Sequence, residues 1–175
     1  MQSETVPALD GLTIRAAGMG DLPVLAARDI DRLGQLYDRL ERHEADRGEL
    51  LIALIAGRPV GHIYLWREDA EEPELREHLP AVPLIMNLWV SDDHRRQGIG
   101  KELVARAEAD LSGAGHREVA LGVHPDNTDA IKLYLSLGYE QWGYGQIATC
   151  KEPARAGKER FANDICEIYV KRLNG

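Results

Sequence analysis

Apolar residues along this chain recur in two rhythms. Runs of strand length cover Leu12 to Arg15, Glu49 to Ala56, Pro59 to Trp66, Leu84 to Val90 and Arg117 to Val123, which predicts β-strands. Gly57-Arg58 joins two of these runs and predicts a hairpin. Elsewhere the spacing lengthens to that of a helix. Ile99, Leu103, Ala107 and Leu111 recur at helical spacing until Gly113 or Gly115 stops them. Ala130, Leu133, Tyr134 and Leu137 share one face of a segment from Asn127 to Leu137, which Gly138 ends. Asp21 is placed to cap a helical region that starts near Leu22 and Pro23 and runs to about Arg47. Glu68 to His78 reads as a loop or short helix, and Tyr139 to Tyr144 and Asp164 to Lys171 read as closing strands. The order strand, helices, hairpin, strand, helix, strand, helix, strand, strand predicts an α/β fold, a mixed sheet with helices on its faces.

No internal repeat, low-complexity block or Ser/Pro linker interrupts the 175 residues. A single domain over 1–175, with its core from about 12 to 173, is therefore expected. Cys150 and Cys166 lack metal-like spacing, so two reduced thiols, no metal and a cytoplasmic location are expected. Met1 to Pro7 lack the basic start and apolar centre of a signal peptide. The apolar stretches Leu50 to Ala56 and Ala81 to Val90 fall well short of the about 20 residues that span a membrane. A formal charge of −8 disfavours nucleic acid and acidic membranes as partners, yet leaves room for a local basic patch that binds an anion.

Such a patch stands between a strand and a helix, in Arg95-Arg96-Gln97-Gly98-Ile99-Gly100-Lys101. Glycine lets the backbone approach an anion, and the free N–H groups of a helix start point toward it. Two arginines and a lysine at that end oppose the helix dipole unless a polyanion is bound there. The spacing excludes a P-loop, because Arg95 occupies its first glycine position and Glu102 its Ser/Thr position. It also argues against a dinucleotide fingerprint, whose third glycine is Leu103 here and whose strand-end acid is missing after Gly122-Val123-His124. Taken alone, the turn implies an anion site or a plain strand-to-helix joint.

Its surroundings narrow this. Arg95-x-x-Gly98-x-Gly100 after Leu88-Trp89-Val90, followed by Asn127-x-x-Ala130-x-x-Leu133-Tyr134-x-x-x-Gly138-Tyr139, resembles the GNAT superfamily of acetyl-coenzyme A-dependent N-acetyltransferases. The resemblance covers Leu12 to Leu173, with its specific motifs between Leu84 and Tyr139. It implies a mostly antiparallel sheet of about seven strands, splayed between strands 4 and 5 to admit acetyl-CoA. By the same resemblance, Arg95, Arg96, Gln97, Gly98, Ile99, Gly100 and Lys101 hold the pyrophosphate. Leu88 and Val90 pair with the pantetheine arm, with the Leu88 N–H facing the thioester oxygen, where such a donor stabilises an oxyanion. Asn127 bonds the arm, although Asn is also a preferred helix cap. Tyr134 protonates the departing thiolate, although it could equally be a core aromatic beside Leu133 and Leu137.

The base that deprotonates the amine stays open. Many relatives carry a glutamate where this chain has Asn87, and an amide cannot take a proton, although it could orient a water that does. His124 and Glu68 are the other candidates. The acidic stretch Glu68 to Glu74 suits a cationic acceptor or is simply a solvated loop. The joint from Gly145 to Asn163, with Lys151, Arg155, Lys158 and Arg160, either folds over the acceptor or pairs two subunits as a homodimer. A small-molecule amine is the favoured acceptor. A protein N-terminus or lysine is the alternative, and an inactive acyl-CoA-binding module is a further reading.

Overall fold

The computed structural model describes residues 9–28, 32–149 and 164–174. Among these residues eight strands form one sheet: β1 Leu12–Ala16, β2 Gly48–Ile55, β3 Arg58–Trp66, β4 Leu84–Val90, β5 Glu118–Val123, β6 Glu140–Gln141, β7 Ile147–Thr149 and β8 Asp164–Arg172. Their order is β1-β2-β3-β4-β5-β8-β6, with β7 also paired to β8. Every pairing is antiparallel except β4 with β5. The helices are α1 Leu22–Ala26, α2 Leu33–Glu44, α3 Pro73–His78, α4 Ile99–Gly113 and α5 Thr128–Ser136.

Alternation along the strands builds two cores, one on each face of the sheet. Leu51, Ile63, Ile85, Val119 and Leu121 pack under α4, together with Leu103 and Ala107 of that helix and Tyr134 of α5. Their chain neighbours Leu50, Ile52, Tyr64, Leu84 and Ala120 pack with Leu36 and Leu40 of α2 and Leu75 of α3. A strand buried on both faces must be apolar throughout. That is why β2 and β3 read as unbroken apolar runs. α4 can lie close to the sheet because Gly61 is bare. A Cβ there would stand 2.8 Å from the Trp89 carbonyl oxygen and 3.0 Å from Leu103 Cδ1.

The eight strands among the described residues accord with the expected mixed, mostly antiparallel sheet of about seven. Two expectations need correction. The strand expected over Tyr139 to Tyr144 is confined to Glu140–Gln141, because the chain turns through Gly145 at φ 81 and the Trp142 indole N–H donates to the Gly145 carbonyl at 2.6 Å. The chain then returns to β8 as β7, inside what reads as a loop. The helical region to Arg47 divides into α1 and α2. α1 closes in a tightened turn in which the Arg28 N–H donates to the Leu25 carbonyl at 3.2 Å. Cys150 and the cations Lys151, Arg155, Lys158 and Arg160 lie outside the described residues.

Candidate active site

β4 and β5 meet at a single register pair, Leu84 with Ala120, and then part. Beyond it, among the described residues, the edge of β4 that faces β5 has no strand partner. A β-bulge shapes this edge. His62 pairs with Trp89 and Tyr64 with Met86, so Ile63 faces both Asn87 and Leu88. Asn87 takes the extra position in the left-handed region at φ 53, which asparagine tolerates better than most residues. The insertion switches the alternation. Ile85 packs on the α4 face before the bulge, and Leu88 and Val90 pack there after it. Asn87 is displaced into the gap, where its side-chain oxygen is buried without a hydrogen-bond partner.

The chain leaves β4 through a 3₁₀ turn, Asp92–His94, and reaches α4 by two left-handed residues, Arg96 at φ 60 and Gly98 at φ 90. Gly98 is the N-cap of α4. It has no side chain to cap the helix, and its carbonyl accepts from the Glu102 N–H at 3.0 Å. The N–H groups of Ile99, Gly100 and Lys101 fall in the first turn, where a helix offers them no internal acceptor. Arg95, Arg96, Gln97 and Lys101 are exposed around this end. Arg95 pairs with Asp92 at 3.0 Å, and the Gln97 amide donates to the Asp93 carbonyl at 3.2 Å. Ile99 is the exception, being buried in the core as the anchor of the helix.

Gly100 is where the parts converge. A Cβ on it would touch Leu88 and Val90 of β4 at 3.7 Å and Leu133 of α5 at 3.8 Å. Tyr134, the next residue on α5, is buried and stacks edge-on against Tyr139 with centroids 5.5 Å apart. Burial pushes its phenol up to about 12, so it stays protonated across ordinary pH. Asn127 caps α5, its side-chain oxygen accepting from the Ala130 N–H at 3.2 Å.

The base candidates divide. Glu68 is taken up by cations, bonding Arg42 and lying 3.7 Å from Arg47. His124 is exposed, and its Nδ1 accepts from the Asp126 N–H at 3.2 Å, so it serves the turn before α5. Neither lines the gap. An acid that the sequence offered only as one of the stretch Glu68 to Glu74 does: Glu72, at the head of α3, is buried in the wall of a cavity of about 190 Å³ that Asn87 also lines. Glu72 precedes Pro73 and so stands at the N-cap position of a helix start, without a side-chain cap hydrogen bond, and seven neighbouring positions with five acids hid which one is buried.

The sequence model of the acetyltransferase (GNAT) family matches residues 21–139, more than half of the chain. A GCN5-related N-acetyltransferase 4, chloroplastic, of Arabidopsis thaliana is 31% identical over 87 residues, covering 50% of this chain and 30% of its own length. An uncharacterized N-acetyltransferase of Methanocaldococcus jannaschii is 30% identical over 99 residues, covering 55% and 41%. The chain thus spans less than half the length of these curated relatives. Among solved structures, NAA60 of Arabidopsis thaliana in complex with acetyl-CoA superposes with a TM-score of 0.70 at 18% identity, covering 94% of this chain and 99% of that one. At that identity the likeness is one of fold.

Proposed function

The chain belongs to the acetyltransferase (GNAT) family, and on that premise we propose that it transfers the acetyl group of acetyl-CoA to a primary amine, by direct attack and as a single domain. The observation that carries this reading is the uncapped start of α4 beside the partnerless edge of β4, with Leu88, Val90 and Leu133 meeting at Gly100. A pyrophosphate suits the first-turn N–H groups of α4 and the cations Arg95, Arg96 and Lys101. The peptide-like pantetheine arm suits an unpaired strand edge, which it would complete by hydrogen bonds as an added strand does. Its thioester carbonyl then accepts from the Leu88 N–H.

The chemistry follows from those positions. A neutral amine attacks the carbonyl carbon, a C–N bond forms, and the C–S bond breaks with its electron pair on sulfur. Tyr134 gives the thiolate a proton, and the proton that nitrogen sheds on becoming an amide restores the phenol by way of solvent. A phenol near 12 is a weak acid, but the desolvation that raises it raises a buried thiol as well, so the transfer is not set by the pKa values of the two groups in water. Asn127, its oxygen engaged in capping, retains its amide N–H₂ as donors to the arm.

A small-molecule amine is the acceptor this reading favours, with a protein N-terminus or lysine as the alternative; a cavity of about 190 Å³ takes an amine head group. The test is acetyl-CoA-dependent thiol release over a panel of amines, with the acetylated product identified by mass spectrometry. Turnover on at least one amine is expected. Tight acetyl-CoA binding with no turnover on any amine, peptide N-terminus or lysine would leave only a binding module.

A further inference from the structure

In the wall of the cavity between β4 and β5, the Asn87 side-chain oxygen is buried without a hydrogen-bond partner. The other polar side chains of that wall, Glu72, Thr149 and Cys166, already interact with other groups of the protein. An orphaned carbonyl oxygen carries a desolvation cost that a donor on a ligand removes. The bulge that displaces Asn87 also holds it in the left-handed region at φ 53. Backbone strain and an unmet acceptor thus coincide at the residue before Leu88, whose N–H is expected to face the thioester. The rest of the wall is largely apolar. Leu75 of α3, Leu84 and Met86 of β4 and Ile168 of β8 line the cavity and belong to the core on the face of α2 and α3.

We propose that the Asn87 side-chain oxygen accepts an N–H of the acceptor amine, and that the acceptor is a primary amine whose apolar body lies against Leu75, Leu84, Met86 and Ile168. The proposal rests on the acetyl-transfer reading above and extends it by naming the group that orients the nucleophile and the class of acceptor. A neutral amine nitrogen carries N–H donors and a single lone pair. A donor in the site would occupy that pair, whereas a carbonyl oxygen binds the nitrogen through N–H and leaves the pair free to attack. Asn87 adjoins Leu88 in the bulge, so a nitrogen held by its oxygen lies next to the edge where the thioester is expected. The amide takes no proton. The lone pair forms the C–N bond, the C–S pair leaves with sulfur, and the protons move as given above.

The apolar side chains set the other half of the choice. Methylene groups gain by leaving water for Leu75, Leu84, Met86 and Ile168. A hydroxyl in the same place gives up its hydration. The acceptor is therefore an alkyl or arylalkyl amine rather than a polyhydroxylated amino sugar.

Two probes of matched length test this, n-butylamine and n-propanolamine, which differ only in a terminal methyl or hydroxyl group. Each is assayed for acetyl-CoA-dependent thiol release by the full chain, and coenzyme A is titrated calorimetrically into the same samples. A kcat/KM for n-butylamine at least about tenfold above that for n-propanolamine is expected. Asn87→Gly, which keeps the left-handed backbone and removes the amide, should lower kcat/KM for n-butylamine at least about tenfold and leave coenzyme A affinity within about twofold. Asn87→Asp, which keeps an acceptor oxygen and loses the amide donors, should recover most of that loss. Activity on n-butylamine that Asn87→Gly leaves unaltered, an aspartate variant no better than the glycine one, or equal activity on the two probes overturns the proposal while the acetyl-transfer reading stands. Absence of coenzyme A binding, or of thiol release with any amine in the wild type, would instead strike the acetyl-transfer reading and the proposal with it.

Discussion

Tyr134 and Gly100 carry the sharpest consequences of single side chains. With its phenol pushed up to about 12 by burial, Tyr134 remains a proton donor throughout the range in which an amine becomes a nucleophile. Activity should therefore rise with pH and show no falling limb from this group below about pH 11. Tyr134→Phe should lower kcat by about 10²-fold with little change in acetyl-CoA affinity. An unchanged turnover and pH profile in the phenylalanine enzyme would remove Tyr134 from the chemistry. At Gly100 the protein itself has room for a methyl group, since every contact would be at ordinary van der Waals distance. Gly100→Ala should thus hold or raise stability, by about 0.5–1 kcal/mol from helix propensity, yet weaken acetyl-CoA by crowding the place where β4, α4 and α5 meet. Thermal unfolding and titration of the same sample separate the two effects.

Residue types and spacing made the strand-to-helix turn at the start of α4, the proposed cofactor side, legible, because glycines and cations at a helix start leave a contiguous trace in sequence. The acceptor side leaves none. Glu68 and Glu72 are alike as letters in an acidic stretch; only the fold shows that the first pairs with Arg42 and Arg47 and that the second is buried beside the cavity. Asn87 was visible as a polar break in an apolar run, but its displacement into the gap depends on a bulge whose register is fixed by β3.

At the scale of elements, the long strands were legible because burial on both faces demands unbroken apolar runs, whereas β6 and β7 are too short to impose any pattern. The first turn offers a pH-dependent test of how β1 is tied to the helices. Asp21 accepts from the Gly18 N–H at 2.9 Å and from Arg15 of β1 at 2.8 and 2.9 Å. The Arg15 hydrogen bond, foremost, holds its carboxyl below the usual carboxylate range. A carboxyl whose pKa is lower folded than unfolded stabilises the fold above its unfolded value and loses that contribution as pH falls through the folded one. Asp21→Asn should cost about 1 kcal/mol near neutrality, and the difference from wild type should shrink as pH falls below the normal carboxylate pKa and vanish only below the lowered, folded one. Denaturant midpoints at both pH values check this. Gly61→Ala should cost more at every pH, about 1–3 kcal/mol, because the Trp89 backbone cannot yield to a Cβ at 2.8 Å.

For the whole molecule, the central feature is a sheet that holds together at Leu84 with Ala120 and opens beyond it, with one core on each face to keep the two halves in place. Periodicity supplied the strands and their mixed order. The opening could not be read from periodicity, since it is a relation between two strands rather than a property of either. Among the described residues no helix is long and apolar enough to cross a membrane. A ligand that fills the gap and bonds the exposed edge binds the folded state alone, so acetyl-CoA at about 100 times its Kd should add about 2.7 kcal/mol. For a chain of this size that corresponds to a rise in Tm of about 5–10 °C.

Calorimetric titration of the full chain with acetyl-CoA, beside the Arg96→Ala and Gly100→Ala variants, tests the assignment of that gap most directly. Saturable one-to-one binding in the wild type is predicted, weakened at least about tenfold in each variant while thermal unfolding stays cooperative. Absence of binding, or equal affinity in all three proteins, would contradict it.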